Sequence, residues 1–387
     1  MAKVLDKNAY MLPVVNVYQP DDIMKILLHV EQAGGFSDIV FLTDREITIK
    51  VDGIPFQITT KKLTSTEVDG FLAYLTRDKS APMSVNSGVE VDEAVSIPGL
   101  ERGQFYRYRI NASAFSVPYR GRGIAITLRS ISSETPLPAD INLDINIAEA
   151  LMPRQGLVLV AGETGSGKST TLAASIRHRA QNPDPNSGLF ILTYEAPVEY
   201  VHDYKCVNGS LIVQASVDEI RGDTKSFESG LRNALRRSPE VILVGEIRDL
   251  ITVDIAIKAA ESGHLCLGTI HANSASSVFT RIANYYPSEV QESKVLQLIS
   301  GVKAILVQYL AQREGGGRIA LQEFLPLNAD VRLEIMTRLK DEGMQNMSVI
   351  INDMVDQHGF SMMTSATNAR QNNQISELEF LKISSGV

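Results

Sequence analysis

The chain has 387 residues, long enough for about two domains with a sizeable core, and its 44% hydrophobic and 21% charged residues are those of a globular protein. A formal net charge of −8 leaves no basic excess for coating nucleic acid, so sequence-specific nucleic-acid binding is not expected, and no apolar run approaches the ~20 residues of a membrane span. Met1–Lys7 lacks the apolar core of a signal peptide, which points to the cytoplasm, while Cys206 and Cys266, without C-x-x-C partners, exclude a zinc ribbon, disfavour a disulfide and read as buried thiols.

Pro20-Asp21 opens a helix whose apolar residues Ile23, Ile26, Leu27 and Val30 follow i, i+3, i+4, i+7 spacing. A short strand, Ile39–Leu42, comes next, and then Ile47, Ile49 and Val51 alternate with polar residues up to the hairpin signal Asp52-Gly53. Thr64 and Glu67 make a capping box for a helix carrying Val68, Phe71, Leu72 and Leu75. Two more strands, Phe105–Ala114 and Gly123–Ile131, flank Pro118-Tyr119-Arg120-Gly121. Residues 1–131 thus read as a small α+β domain on an antiparallel sheet. Residues 132–143 are polar with two prolines and read as a linker. From 144 to 327 apolar strands at 157–161, 189–194, 241–245 and 265–270 alternate with helical patterns, which predicts an α/β core with a parallel sheet covered on both faces. The remainder, 328–387, reads as a helical extension in which Met336, Met347 and Met354 are core-filling residues.

Residues 162–169, Gly-Glu-Thr-Gly-Ser-Gly-Lys-Ser, fit G-x-x-x-x-G-K-[ST] at every fixed position. The apolar run 157–161 precedes them and a helical run from Thr170 follows, the strand–loop–helix context that the pattern requires. Backbone N–H groups of Gly162, Thr164, Gly165, Ser166, Gly167 and Thr170, aided by the helix N-terminus, would cradle the phosphates of ATP. Lys168 would reach the β/γ-phosphates, and Ser169 would offer its hydroxyl to Mg²⁺.

Downstream, Glu195 ends the second core strand, where an acid would face the ligand-binding edge of an open α/β sheet; taken alone it reads more readily as a solvated helix cap. Val241–Val244 leads into Gly245-Glu246, an apolar strand ending in an acid, with glycine where such motifs usually carry Asp. His264 and His271 stand at either end of the strand 265–270, a poor metal pattern but suited to a γ-phosphate contact. Acid, acid and histidine at successive strand ends after a phosphate loop are improbable in a passive nucleotide binder.

Together these stretches resemble the secretion ATPase superfamily of PilT-, GspE- and VirB11-like proteins. Residues 162–171, 192–200, 241–249 and 263–273 match its Walker A, Asp box, Walker B and His box, with Gly245-Glu246-Ile247-Arg248-Asp249 the most diagnostic. Arg107–Asn111 and Thr127–Arg129 extend the likeness into the N-terminal domain and narrow it to the branch serving type IVB secretion and conjugative transfer, DotB- and TraJ-like. The resemblance implies a PAS-like N-terminal domain, a RecA-like P-loop motor domain and a homo-hexameric ring. The ring would hydrolyse ATP with Mg²⁺ and work beside inner-membrane components of the apparatus. It implies Glu246 as the main catalytic acid, Glu195 as water activator or metal ligand, and His271 or His264 as the γ-phosphate contact. It further implies Arg109 and Arg129 as arginines reaching a nucleotide across or within the subunit. The chain departs from the family in carrying Ala196 where Asp commonly follows the Asp-box glutamate. A pilus retraction or assembly motor is the alternative; the segment Asp330–Arg338, divergent from the retraction-motor pattern, disfavours it.

Overall fold

The computed structural model describes residues 6–51, 54–117, 121–131, 134–220 and 222–385. The chain divides into two compact units, Met1–Ser133 and Glu134–Val387.

In the first unit α1 (Asp22–Ala33) leads into β1 (Asp38–Leu42), β2 (Glu46–Val51) and β3 (Ile54–Lys62). There follow α2 (Ser65–Thr76), α3 (Ala81–Asn86), β4 (Val91–Pro98), β5 (Phe105–Val117) and β6 (Gly121–Ile131). All six strands pair antiparallel in the order β3-β2-β1-β6-β5-β4. The α1 stripe Ile23, Ile26, Leu27, Val30 is wholly buried, as its spacing requires. On β2 the alternation Ile47, Ile49, Val51 fills the same core, and Phe71 of α2 meets Phe41 of β1 edge-on at 5.3 Å. The turns at Asp52-Gly53 and Pro118–Arg120 lie outside the described residues, but Val51 pairs with Ile54 and Val117 with Gly121 on either side of them.

The sequence reading did not anticipate β3, α3 or β4. Both strands are the edges of the sheet, where one side of the backbone has no neighbour and neither face is fully covered. Ile54, Phe56 and Ile58 on β3 and Val95 and Ile97 on β4 do alternate in the sequence, but burial along both strands is irregular.

The capping box at Thr64 is formed: the Glu67 N–H donates to the Thr64 hydroxyl at 3.3 Å and the Thr64 N–H to the Glu67 carboxylate at 2.7 Å. Glu67 also accepts from the Tyr18 N–H and the Lys61 ammonium, although it is buried. Burial opposes its ionisation, but Lys61, the two backbone N–H groups and the Thr64 hydroxyl outweigh that and hold the carboxyl below its ordinary range. Glu67→Ala should therefore lower the stability of this unit by about 3 kcal/mol, since it strands a half-buried ammonium and two N–H groups. A urea titration of the full chain reads the loss; an unchanged first transition would refute it.

In the second unit the stretch read as a linker is structured from Glu134 onward; Ser132 and Ser133 are outside the described residues. Thr135 and Leu143 are buried, Pro138–Ile141 form a 3-10 turn, and the Thr135 hydroxyl donates to the Val201 carbonyl at 2.9 Å. Prolines with Asp and Asn mark a packed turn as readily as a free tether.

Beyond it run α4 (Ile145–Ala150), β7 (Gly156–Ala161), α5 (Lys168–Ala180), β8 (Phe190–Glu195), β9 (Leu211–Ser216), α6 (Phe227–Ala234) and β10 (Val241–Val244). Next come α7 (Leu250–Glu261), β11 (Leu265–Ile270), α8 (Ala275–Ala283), α9 (Ser288–Gly301), β12 (Val302–Gln312) and β13 (Arg318–Pro326). Among the described residues, the α-helices α10 (Ala329–Glu342), α11 (Met347–His358), α12 (Met362–Gln371) and α13 (Glu377–Ser384) follow. The sheet order is β13-β12-β7-β11-β10-β8-β9, parallel throughout except for β13, which returns antiparallel along β12.

The four expected strands are β7, β8, β10 and β11, the middle of the sheet. Each is covered on both faces: Leu157, Leu159 and Ala161 of β7 enter one core, Val158 and Val160 the other. The sheet is mixed rather than purely parallel because the β12–β13 hairpin, which was not anticipated, closes one edge. Val331, Ile335, Met347, Ile350 and Met354 of the helical extension join the first of these cores. Among the described residues no helix is long and apolar enough to cross a membrane. Cys266 is buried and its thiol is pushed up to about 12 by burial; Cys206 is only half-buried, and neither is in a disulfide.

Candidate active site

Ala161 ends β7 and Lys168 begins α5, so residues 162–167 make the turn between them. Gly162, Gly165 and Gly167 adopt φ of 146°, 78° and 89°, a region that side chains disfavour. Two are also hemmed in: a Cβ on Gly162 would lie 2.3 Å from the Gln308 carbonyl oxygen, and one on Gly167 would lie 2.6 Å from Gln308 Nε2. Glu163, Thr164 and Gly165 are exposed, while Ser169 and Thr170 are half-buried in the first turn of α5. The Ser166 hydroxyl is buried with no partner among the described residues. Positive-φ glycines, an unpartnered hydroxyl and a helix N-terminus fit an anion.

Lys168 is 9% exposed, and its ammonium donates to the carbonyls of Gly162 at 2.9 Å and Glu163 at 2.7 Å. Burial draws its pKa below the ordinary lysine range, against the opposing charges of Glu246, Glu199 and Glu163. Those charges act on the ammonium because the acid after β10 and the acid after β8 share the edge of the sheet where the loop sits.

Glu246 stands two residues beyond the end of β10, and its Oε1 lies 3.3 Å from His271 Nε2. The pair is built by backbone: the Ile247 N–H donates to the Thr269 carbonyl at 2.8 Å, and the Thr269 hydroxyl donates to the Gly245 carbonyl. Gly245 stands where Asp is usual because a Cβ there would press on the Glu195 main chain at 3.1 Å.

Glu195 ends β8 and is buried. Its Oε1 accepts from the Thr193 hydroxyl at 2.7 Å and from Gln214 Nε2 at 3.3 Å. Burial pushes the carboxyl up to about 7, Glu199 adds to the rise, and the Thr193 and Gln214 hydrogen bonds moderate it. Gln214 on β9 is itself held at both ends, donating to the Tyr200 carbonyl at 2.8 Å and accepting from the His202 N–H at 2.8 Å. The Tyr200 hydroxyl in turn lies 2.9 Å from the Thr170 hydroxyl on the loop helix. An acid with a pKa near neutrality is poised to take a proton at working pH. A base must be ionised, so activity should rise with pH through about 7. Gln214→Met removes a bond to the ionised form, and its rate profile should move to higher pH by about half a unit. A kcat–pH profile with no ascending limb between pH 6 and 8 would exclude Glu195 as the base.

His264 is not brought to this edge. It precedes β11, at the opposite end of the sheet from the loop, where its carbonyl accepts from the N–H of Gly156 at 3.0 Å and its Nδ1 lies 3.1 Å from the Ser262 hydroxyl. A strand of this length puts ~20 Å between His264 and His271. Of the two histidines, His271 is the one that stands at the loop's edge of the sheet.

Arg109 and Arg129 lie in the first unit, directly opposite one another on β5 and β6. Arg109 makes a fork to Asp92, with distances of 2.8 and 2.6 Å, and Arg129 Nε lies 2.8 Å from Asp38. Paired this way, both project from the face of the sheet that does not carry Tyr108, Ile110 and Leu128 into the core.

Thr193, Gln214 and Gln308 were not anticipated. Thr193 and Gln214 read as ordinary strand residues, whereas Gln308, polar within the apolar run 304–311, carried a signal that was available.

Residues 137–315 match the family of type II/IV secretion system proteins. The type IV pilus ATPase PilU of Pseudomonas aeruginosa is 32% identical over 334 residues, 83% of this chain and 81% of that protein. The ATPase DotB of Legionella pneumophila superposes with a TM-score of 0.80 at 31% identity, covering 97% of this chain and 99% of DotB. The pilus retraction motor PilT, solved with bound ADP, does so with a TM-score of 0.76 at 30% identity, covering 94% and 96% of the two chains. With the phosphate loop, its lysine and the two strand-end acids gathered at one sheet edge, the chain belongs to the type II/IV secretion system family, that of the secretion and pilus ATPases.

Proposed function

We propose that the protein is a hexameric ring ATPase that couples ATP hydrolysis to substrate export or conjugative DNA transfer through a type IV apparatus of the IVB kind. It would work in the cytoplasm, held at the inner membrane by components of that apparatus. The observation that carries the chemistry is Lys168 in the field of Glu246, with His271 beside Glu246 and Glu195 at the end of the neighbouring strand. What favours the IVB branch is likeness to DotB over nearly the whole of both chains.

In this reading the glycine loop and Lys168 hold the β- and γ-phosphates of ATP, and phosphoryl transfer proceeds mainly by positioning and charge stabilisation. Ser169 would hold Mg²⁺, which would supply positive charge for phosphoryl transfer, and Glu246 would serve as the main catalytic acid. Glu195, near neutrality, accepts the proton of the attacking water. His271, fixed beside Glu246, contacts the γ-phosphate. Arg109 and Arg129, on a PAS-like first domain, would be the arginines that reach a nucleotide across or within the subunit, exchanging Asp92 and Asp38 for phosphate. Loss of the γ-phosphate then releases the two domains, and repetition around a ring moves the membrane partner.

A pilus motor is the second reading, favoured by the likeness to PilU and PilT. A deletion strain complemented with wild type, scored separately for conjugative transfer, protein secretion and twitching, distinguishes them. Restored twitching alone would replace the export reading by the pilus one. Light scattering with and without ATP tests the ring: a monomer under both conditions would remove it.

A further inference from the structure

β12 runs beside β7, and the apolar register of its centre is interrupted by Gln308, which is 4% exposed. Burying a primary amide is costly unless its polar atoms find partners, and here they do. Nε2 donates to the Ser166 carbonyl at 2.6 Å. Oε1 accepts from the Thr171 hydroxyl at 2.8 Å and from Gln322 Nε2 at 3.2 Å. Gln322 is the cross-strand partner of Gln308 on β13, is buried too, and its own N–H donates to the Ser365 hydroxyl of α12 at 3.1 Å. Main chain and side chain of Gln308 also pack so closely on Gly162 and Gly167 that neither glycine has room for a Cβ.

A trans peptide plane carries its C=O and N–H on opposite sides. Holding the Ser166 carbonyl toward Gln308 therefore turns the Gly167 N–H the other way, away from β12. We infer that Gln308 is a positioning residue for phosphate binding: it fixes the Ser166–Gly167 peptide so that the Gly167 N–H faces the anion, with Gln322 and α12 bracing it from behind. This rests on the reading of residues 162–169 as an ATP-phosphate loop.

The test uses the full chain, a fluorescent ATP analogue and steady-state turnover. Gln308→Met keeps length and volume but removes donor and acceptor. ATP affinity should fall about tenfold and KM rise by the same factor, with kcat at saturating ATP within about twofold. Gln308→Glu still accepts from Thr171 and Gln322 but cannot donate to Ser166, so it should not rescue binding. Gln322→Met should weaken ATP by about threefold. A folded Gln308→Met protein that binds ATP within twofold of wild type, or loses kcat at unchanged KM, overturns the assignment. Should Gln308→Met lose its thermal melting transition, Gln322→Met decides, and wild-type affinity there overturns it equally. Wild type that fails to bind the analogue would strike the nucleotide reading itself, whereas tight binding by Gln308→Met strikes only the role of Gln308.

Discussion

Glu246→Gln should bind ATP with near wild-type affinity while turnover falls by about 10³-fold, within the range usual for loss of a catalytic acid–base group. The substitution keeps shape and leaves an amide oxygen or nitrogen to meet His271 Nε2, now 3.3 Å from the carboxylate. It removes the negative charge and the ability to take part in proton or metal chemistry. Glu246 supports the charge on Lys168, but its carboxylate also repels phosphate, so removing it has opposing effects on binding. Binding and hydrolysis should separate cleanly, read by fluorescent nucleotide titration and by single-turnover hydrolysis of labelled ATP. Hydrolysis at the wild-type rate would remove Glu246 as the catalytic acid.

Lys168→Ala should behave in the opposite way, losing binding itself by about 10³-fold. An ammonium about 4 Å from a phosphate charge contributes roughly 4 kcal/mol at the effective dielectric of a partly buried site, which is about three decades of affinity. Lys168 sits in such an environment and is tethered to the loop by the carbonyls of Gly162 and Glu163. Alanine leaves those two carbonyls without the ammonium, so a modest drop in thermal stability should accompany the loss. Isothermal titration with ATP measures the first effect and a thermal melt the second. ATP affinity within tenfold of wild type would contradict the phosphate role.

The parts of the site that were legible in the sequence are those whose geometry is local. The run from Leu157 to Thr170 is one strand, one turn and one helix, so its residue order is also its order in space. Glu195 ends, and Glu246 lies just beyond, strands that pair in parallel register, Tyr194 with Val244, which brings their ends to one edge whatever lies between. The two histidines show the limit of residue type as a signal. His264 and His271 are alike in chemistry, but strand direction sends them to opposite ends of β11. Edge strands β3, β4 and β9 show another limit: Ile54, Phe56 and Ile58 and Val95 and Ile97 alternate in the first two, but at a sheet edge that alternation is only loosely matched by burial.

The sequence by itself determined the phosphate loop, the buried central strands and the acid–histidine complement, because each is written in short-range spacing and hydrophobic period. Tertiary structure alone decided what those residues touch. Gln308 reaches Ser166 across 142 positions of chain, and Gln214 meets Glu195 only because β9 pairs with β8. It also decided the acidity of Glu195, since burial raises the carboxyl and the Thr193 and Gln214 hydrogen bonds oppose that rise. Contacts of this kind depend on where remote segments are packed, and desolvation depends on everything packed around a group, so neither has a local pattern from which it can be read.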